Sequence, residues 1–354
     1  MPRQKQRKAP PDRAGEVIAD RFVIEKSIAR GGMGCVYLAS QLNLQRKAAI
    51  KILPPHPDHD KEFRERFLLE ASTCARLAHP HIVTVYDYGE TSSGELYMAM
   101  EHLQGEPLSK IIKQSGHLSP ERTCEIAIQA CSALRAAHKV GIVHRDLKPS
   151  NLMVGRADDE VSDFVKVLDF GLAKRFNKDA EQEAVTESGV WLGSLHYMAP
   201  EQIRCEDVDP RTDVYSLGVL MYHMAAGKVP FPGAKVLDVL QKHLGEKPPR
   251  LKDVLPKGTY APELEVIIHR CLEKEPADRY PNVGAVSVEL KAALRMIGGA
   301  TSGIENSTLF SEPTEVGTSI DASILLSKLK AKERMLVVDD DGDGDDFFQF
   351  WLGP

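Results

Sequence analysis

Two short polar segments constrain this chain more than anything else in it: His144-Arg145-Asp146-Leu147-Lys148-Pro149-Ser150-Asn151, and Asp169-Phe170-Gly171, which begins 18 residues after that asparagine. A polar octapeptide containing proline is ordinarily a solvated turn. Here the two segments carry two carboxylates, an amine and an amide, which together can take up a hydroxyl proton and hold a divalent metal. Should the fold bring these two segments to one point, the residue types gathered there would suit phosphoryl transfer.

Composition narrows the remaining classes. At 354 residues, 42% hydrophobic and 27% charged, the chain can bury a large core and has length for two lobes with extensions. The net charge of -6 is matched by Asp339, Asp340, Asp341, Asp343, Asp345 and Asp346, so the rest balances near zero and nothing suggests a nucleic-acid binder. Six cysteines without a Cys-x-x-Cys pair fit free thiols in a reducing compartment, and the expected localisation is cytoplasmic. The basic start, MPRQKQRKAPPDRAG, lacks the apolar stretch of a secretory signal and reads as a disordered leader over 1–20. The longest apolar run, Val214 to Ala226, is interrupted by Ser216 and His223. It falls short of the roughly 18–20 residues a membrane span needs and is expected to be a buried helix.

Between residues 21 and 53, RFVIEKSIARGGMGCVY and AAIKIL give β-rich runs around a glycine turn. Phe63, Phe67, Leu68, Ala71, Ala75 and Leu77 recur at helical spacing before His79-Pro80. Strands are expected around Ile82–Tyr88 and Leu96–Met100, then mostly helix, with Ser119-Pro120-Glu121 as a helix start. Beyond Ile297 the Gly/Ser/Thr-rich sequence reads as a flexible linker, with a short amphipathic helix over Ile320–Arg334 and an acidic tail. That tail ends like the opening strand of a receiver domain, but too little chain remains to build one. It also opens like a calcium loop at Asp339-x-Asp341-x-Asp343-Gly344. The twelfth position is Phe350 where a bidentate glutamate is wanted, so a solvated acidic tail is the reading preferred.

With HRDLKPSN, DFG, and the later Ala199-Pro200-Glu201, the chain resembles a serine/threonine protein kinase of the eukaryotic-like type found in bacteria. The resemblance implies an α+β, bilobal protein kinase fold, with a small β-rich N-lobe containing one main helix and a larger helical C-lobe. It places a kinase domain at 21–297 (N-lobe 21–100, hinge 101–106, C-lobe 107–297) and the linker and acidic tail at 298–354. Relatives often carry a membrane span after this domain, so its absence here predicts a soluble enzyme. Relatives also often pair through their small lobes, which makes a transient homodimer an expectation.

The same resemblance assigns the site. Asp146 would be the catalytic base or orient the substrate hydroxyl, and Lys148 would stabilise charge on the moving phosphoryl group. Asn151 and Asp169 would hold Mg2+, with Mn2+ a possible substitute. Lys51 would meet the α- and β-phosphates of ATP, with Glu70 its ion-pair partner 19 residues on. The glycine-rich loop would be Ala29, Gly31, Gly32, Met33 and Gly34. Ala29 departs from the usual glycine there and alone favours the rival reading, a pseudokinase scaffold that binds nucleotide without turnover. The adenine pocket would be Val36 and Ala49 above, Met153 below, Met100 at the back, and backbone groups of Glu101 and Leu103. Cys35 reads as packing, His144 as a buried hydrogen-bonding residue, Asp213 as the anchor of the catalytic loop, and Glu201 with Arg279 as a structural pair. Ser194 replaces the more frequent threonine but keeps the hydroxyl. The lysine in DLKPSN is the form associated with serine/threonine acceptors, and GSLHYMAPE looks like a shelf for protein substrates. Thr186 and Ser188 are either autophosphorylation sites that neutralise Arg145 or plain loop residues.

Overall fold

The β-rich runs on either side of the glycine turn pair with one another in the computed structural model of the chain. The structure describes residues 12–30, 34–53, 61–156, 163–170, 192–256 and 259–302. All lie in one compact unit, Met1–Glu305; the second unit, Asn306–Pro354, falls outside the described residues, as do the leader up to residue 11, Thr186, Ser188 and the acidic tail.

Strands β1 (Val17–Ile18), β2 (Phe22–Arg30), β3 (Cys35–Gln41) and β4 (Arg46–Leu53) join β5 (Val85–Glu90) and β6 (Leu96–Glu101) in an antiparallel sheet ordered β1-β2-β3-β4-β6-β5. Both faces of β4 are covered, and the period of two sorts its side chains. Ala48, Ile50 and Ile52 enter one apolar cluster with Phe22, Tyr37 and Tyr97. Ala49 and Leu53 enter another with Phe67 and Ala71 of helix α1 (Lys61–Ala75). Lys51 therefore shares the face of Ala49 and Leu53 and is directed toward the helical lobe.

That lobe begins with β7 (Glu106–Pro107), α2 (Leu108–Ser115) and α3 (Pro120–His138). Ser119 starts α3 as expected: its hydroxyl accepts from Arg122 N at 3.2 Å, and Pro120 occupies the first turn, where a missing N–H costs nothing. A 3-10 turn, Pro149–Asn151, leads into β8 (Leu152–Arg156), which pairs with β7 and with β9 (Asp163–Val167). The remaining helices are α4 (Leu192–Leu195), α5 (Pro200–Ile203), α6 (Pro210–Ala226), α7 (Val236–Gly245), α8 (Leu251–Val254), α9 (Pro262–Cys271) and α10 (Val283–Ser302). The two-lobed α+β architecture expected from the sequence is the one observed.

The apolar run from Val214 lies in α6, buried around nearly its whole circumference, as a helix apolar on all sides should be. It stops at Gly227, at φ 69°, where an added Cβ would lie 1.9 Å from the Gly116 carbonyl oxygen, so only glycine closes this helix. Among the described residues no helix is long and apolar enough to cross a membrane.

Two expectations are corrected. The strand expected from Ile82 begins at Val85, and Ile82 instead bridges to Val167, stitching the small lobe to β9. The linker expected from residue 298 is helical as far as Ser302. Val283, Val286, Leu290 and Ala293 form the buried stripe of α10, and once that stripe is packed the helix propagates past Gly298 and Gly299 despite their poor propensity.

Candidate active site

The catalytic loop is held in a conformation it would not adopt alone. Arg145 has φ 63° and Asp169 φ 48°, left-handed values that cost a non-glycine residue about 1–3 kcal/mol. Asp213, fully buried at the start of α6, offsets the first: its carboxylate accepts from His144 N at 2.8 Å and Arg145 N at 2.9 Å. His138 Nε2 meets the same carboxylate at 2.7 Å. His144 is a packing residue. Its Nε2 donates to the Leu168 carbonyl at 2.9 Å, its Nδ1 accepts from Asp146 N at 3.3 Å, and its ring lies 4.8 Å from that of Phe170.

On this support the functional side chains converge. Lys148 Nζ donates to Asp146 Oδ2 at 2.6 Å and to Ser194 Oγ at 2.7 Å, so the loop, its carboxylate and the end of the 192–201 segment meet at one ammonium. Asn151 Nδ2 donates to the Asp146 carbonyl at 2.9 Å. With its amide nitrogen so used, Asn151 has Oδ1 to offer as a ligand. That oxygen and the Asp169 carboxylate form a hard but incomplete set, the kind magnesium completes with phosphates and water. Among the described residues no cluster of three or more His, Cys, Asp or Glu forms a closed metal cage.

At the nucleotide end, Lys51 Nζ lies 2.9 Å from Asp169 Oδ2 and joins the two lobes. Glu70 is on α1, but its side chain lies outside the described residues, as do Gly31, Gly32 and Met33. Ala29 pairs with Val36 across β2 and β3. Gly34 follows, and an added Cβ there would meet the Ile52 carbonyl oxygen at 2.2 Å; glycine lets the loop's return strand cross β4. Ala49 and Met100 are register partners, and Val36 and Leu103 pack on the same apolar cluster. Met153 lies on β8 opposite Pro107.

Behind the loop, Arg279 and Glu201 form a bidentate pair, both contacts 2.8 Å, with neither more than 3% exposed. Burial pushes the Glu201 carboxyl up, and the Arg279 hydrogen bonds and charge, aided by Thr212, outweigh it and hold the group below the usual carboxylate range. Burial likewise raises the Tyr197 hydroxyl and lowers His223, and the Tyr197 hydroxyl shares a 2.6 Å hydrogen bond with His223 Nδ1.

Three further residues tie the site together without a local sequence signal. His138 reaches Asp213 from α3. Gln202 donates to the Arg145 carbonyl at 3.0 Å while its Oε1 accepts from Ala199 N at 3.0 Å. Glu101, expected to act through its backbone, also uses its side chain: Oε1 accepts from Lys166 Nζ and from Thr84 N, both at 2.6 Å. Each contact is between residues far apart in sequence, except the Gln202 to Ala199 bond.

Comparison with known proteins agrees with this fold. Residues 22–288 match the family described as "Protein kinase domain". The chain is 39% identical over 278 residues to serine/threonine-protein kinase pkn3 of Myxococcus xanthus, covering 78% of this chain and 51% of that protein. It is 40% identical over 276 residues to PknA of Mycobacterium tuberculosis, covering 77% of this chain and 61% of that protein. The chain thus matches only part of each relative's length. The crystal structure of the M. tuberculosis PknI kinase domain is similar with a TM-score of 0.62 and 28% identity, over 79% of this chain and 98% of that one.

Proposed function

This chain belongs to the protein kinase family, and from that premise we propose that it transfers the γ-phosphoryl group of ATP to serine or threonine hydroxyls of proteins. The observation that carries the reading is the meeting of Asp146, Lys148 and Ser194 at 2.6 and 2.7 Å, across the cleft from the 2.9 Å pair of Lys51 and Asp169. The lysine of DLKPSN and the names of the relatives both favour Ser/Thr over Tyr acceptors.

In this mechanism Asp146 orients the acceptor hydroxyl and receives its proton as the acceptor oxygen bonds to the γ-phosphorus. The bond from that phosphorus to the bridging oxygen breaks, and ADP leaves. Lys148 is placed to follow the charge of the moving group, and Ser194 fixes the rotamer of that lysine. Lys51 takes the α- and β-phosphates. Val36, Ala49, Met100 and Met153 form the apolar walls for adenine, and Glu101 and Leu103 supply backbone groups at its edge. Asn151 and Asp169 would hold the divalent metal, Mg2+ or in its place Mn2+, which would supply positive charge to offset that of the phosphates. Thr186 or Ser188 accepts phosphate by autophosphorylation, adding negative charge to the activation segment.

The test uses γ-labelled ATP with Mg2+ and a generic acceptor such as myelin basic protein, followed by phosphoamino-acid analysis. Label is expected on serine or threonine. Asp146→Asn should lower transfer by about 10²–10⁴-fold with nucleotide binding retained. No label from the unaltered chain, or undiminished label from Asp146→Asn, would refute the proposal.

A further inference from the structure

Away from the cleft, a cavity of about 310 Å³ opens between the end of α3 and the beginnings of α6 and α10. That size suits a small ligand or a single modified side chain. Its wall contains Arg135 and His138, three residues apart on one face of α3, Lys139 at the C-cap of that helix, and Arg211 from α6. The lone carboxylate in the wall, Asp209, is already engaged: Arg211 reaches it through Nε at 2.9 Å, Nη2 at 2.6 Å and its backbone N at 2.7 Å. Among the described residues no carboxylate pairs with Arg135 or Lys139. The stem of Arg135 runs beside the start of α10, where a Cβ added at Gly284 would lie 3.7 Å from its Cδ.

A basic residue at the end of α3 is explained by the carbonyls of that helix, which favour a cation. The dipole alone does not account for unpaired cations bordering a cavity whose wall also holds the first residues of helices of 17 and 20 residues, capped there by Asp209 and Asn282. Arg135, Lys139 and Arg211 against the single carboxylate of Asp209 leave the wall a surplus of positive charge that favours an anion, and forked and point cations at several angles suit a tetrahedral one.

We propose that this cavity binds a phosphomonoester-type dianion, supplied by a small molecule or by a phosphorylated side chain, and that its occupancy is felt at the catalytic loop. The connection is short. His138 lines the cavity and meets Asp213 at 2.7 Å, and Asp213 holds the N–H groups of His144 and Arg145. An anion seated against His138 changes the hydrogen bonding of the carboxylate that fixes Arg145 in its left-handed conformation. This inference does not rest on the proposed transfer reaction, since binding is read without nucleotide.

The experiment titrates the full chain by calorimetry with inorganic phosphate, a short phosphothreonine peptide and the same peptide unphosphorylated. Hydrogen exchange is followed over residues 143–147. Saturable binding of phosphate or phosphopeptide is expected. Arg135→Gln with Lys139→Gln should weaken it about a hundredfold, roughly tenfold for each cation. Lys51→Met, at the nucleotide end, should leave it unchanged, which separates this cavity from the cleft. Exchange at 143–147 should slow on binding in the unaltered chain and not in the double variant. Stronger binding of the phosphopeptide assigns the source to a protein side chain, and equal or stronger binding of phosphate assigns it to a free anion. If the double variant fails to fold, Lys139→Glu, at an exposed position, takes its place with the same expectation of weakened binding. The proposal is overturned by absence of saturable binding, by binding insensitive to these substitutions, by equal binding of the unphosphorylated peptide, or by unchanged exchange in the loop.

Discussion

Replacing Arg279 with leucine removes five hydrogen bonds at once and leaves a carboxylate stranded. The guanidinium uses its full donor set: Nε to the Glu273 carbonyl, Nη1 to Glu201 Oε1 and the Arg211 carbonyl, Nη2 to Glu201 Oε2 and the Lys274 carbonyl, all between 2.8 and 3.0 Å. Breaking such a buried pair from one side costs about 3–5 kcal/mol, because the remaining charge is buried with only the Thr212 hydroxyl, at 2.8 Å, to offset it. For a domain of this size that is a fall in Tm of roughly 5–15 °C. The pH dependence gives a sharper test. In the unaltered chain the folded-state pKa of Glu201 is depressed, so its contribution is present above the unfolded value and fades as pH falls through the folded one. In Arg279→Leu burial, the largest influence on this carboxyl, is opposed only by the Thr212 and backbone hydrogen bonds, so the folded-state pKa rises; the penalty is then full at neutral pH and relieved as acid protonates the carboxyl. The Tm difference between the two proteins should therefore narrow between pH 7 and pH 5, measured by thermal melts followed by circular dichroism. A difference of under about 1 kcal/mol, or one that widens on acidification, would refute this account of the pair.

Ser194→Ala should lower transfer about tenfold by freeing the Lys148 ammonium, while Ser194→Thr, which keeps the hydroxyl, should retain activity in the same labelled-ATP assay. Lys274→Met should stabilise the protein at pH 7. Burial, then the charge of Arg279, lowers Lys274 from 10.5 to about 8, so the folded state carries a penalty below pH 8 that disappears as pH rises toward the unfolded value. The net gain is about 1–2 kcal/mol after loss of the cation–π contact with Phe231, and melts from pH 7 to pH 10 should show it shrinking.

The sequence was most legible where chemistry and local geometry coincide. HRDLKPSN announces the loop because the side chains of His144, Asp146, Lys148 and Asn151 make its contacts, and Ser119-Pro120 announces a helix start because capping is a local matter. The alternation around Lys51 likewise follows from the period of a strand. The contacts of His138, Gln202 and Glu101 with the site were not legible, because they join residues 17 to 75 positions apart that only the tertiary fold brings together. The overrun of α10 was misread for a related reason. Propensity describes Gly298 to Ser302 in isolation, whereas packing of α10 on α3 decides whether the helix continues.

The most direct test of the site is a crystal structure with a non-hydrolysable ATP analogue and Mn2+, whose anomalous signal locates the metal. The account expects the metal on Asp169 and Asn151, and Lys51 drawn from its 2.9 Å contact with Asp169 onto the α- and β-phosphates, with Asp146 and Lys148 facing the terminal phosphate. A cleft left empty at saturating analogue, or a metal held by other residues with Lys51 away from the phosphates, would contradict it.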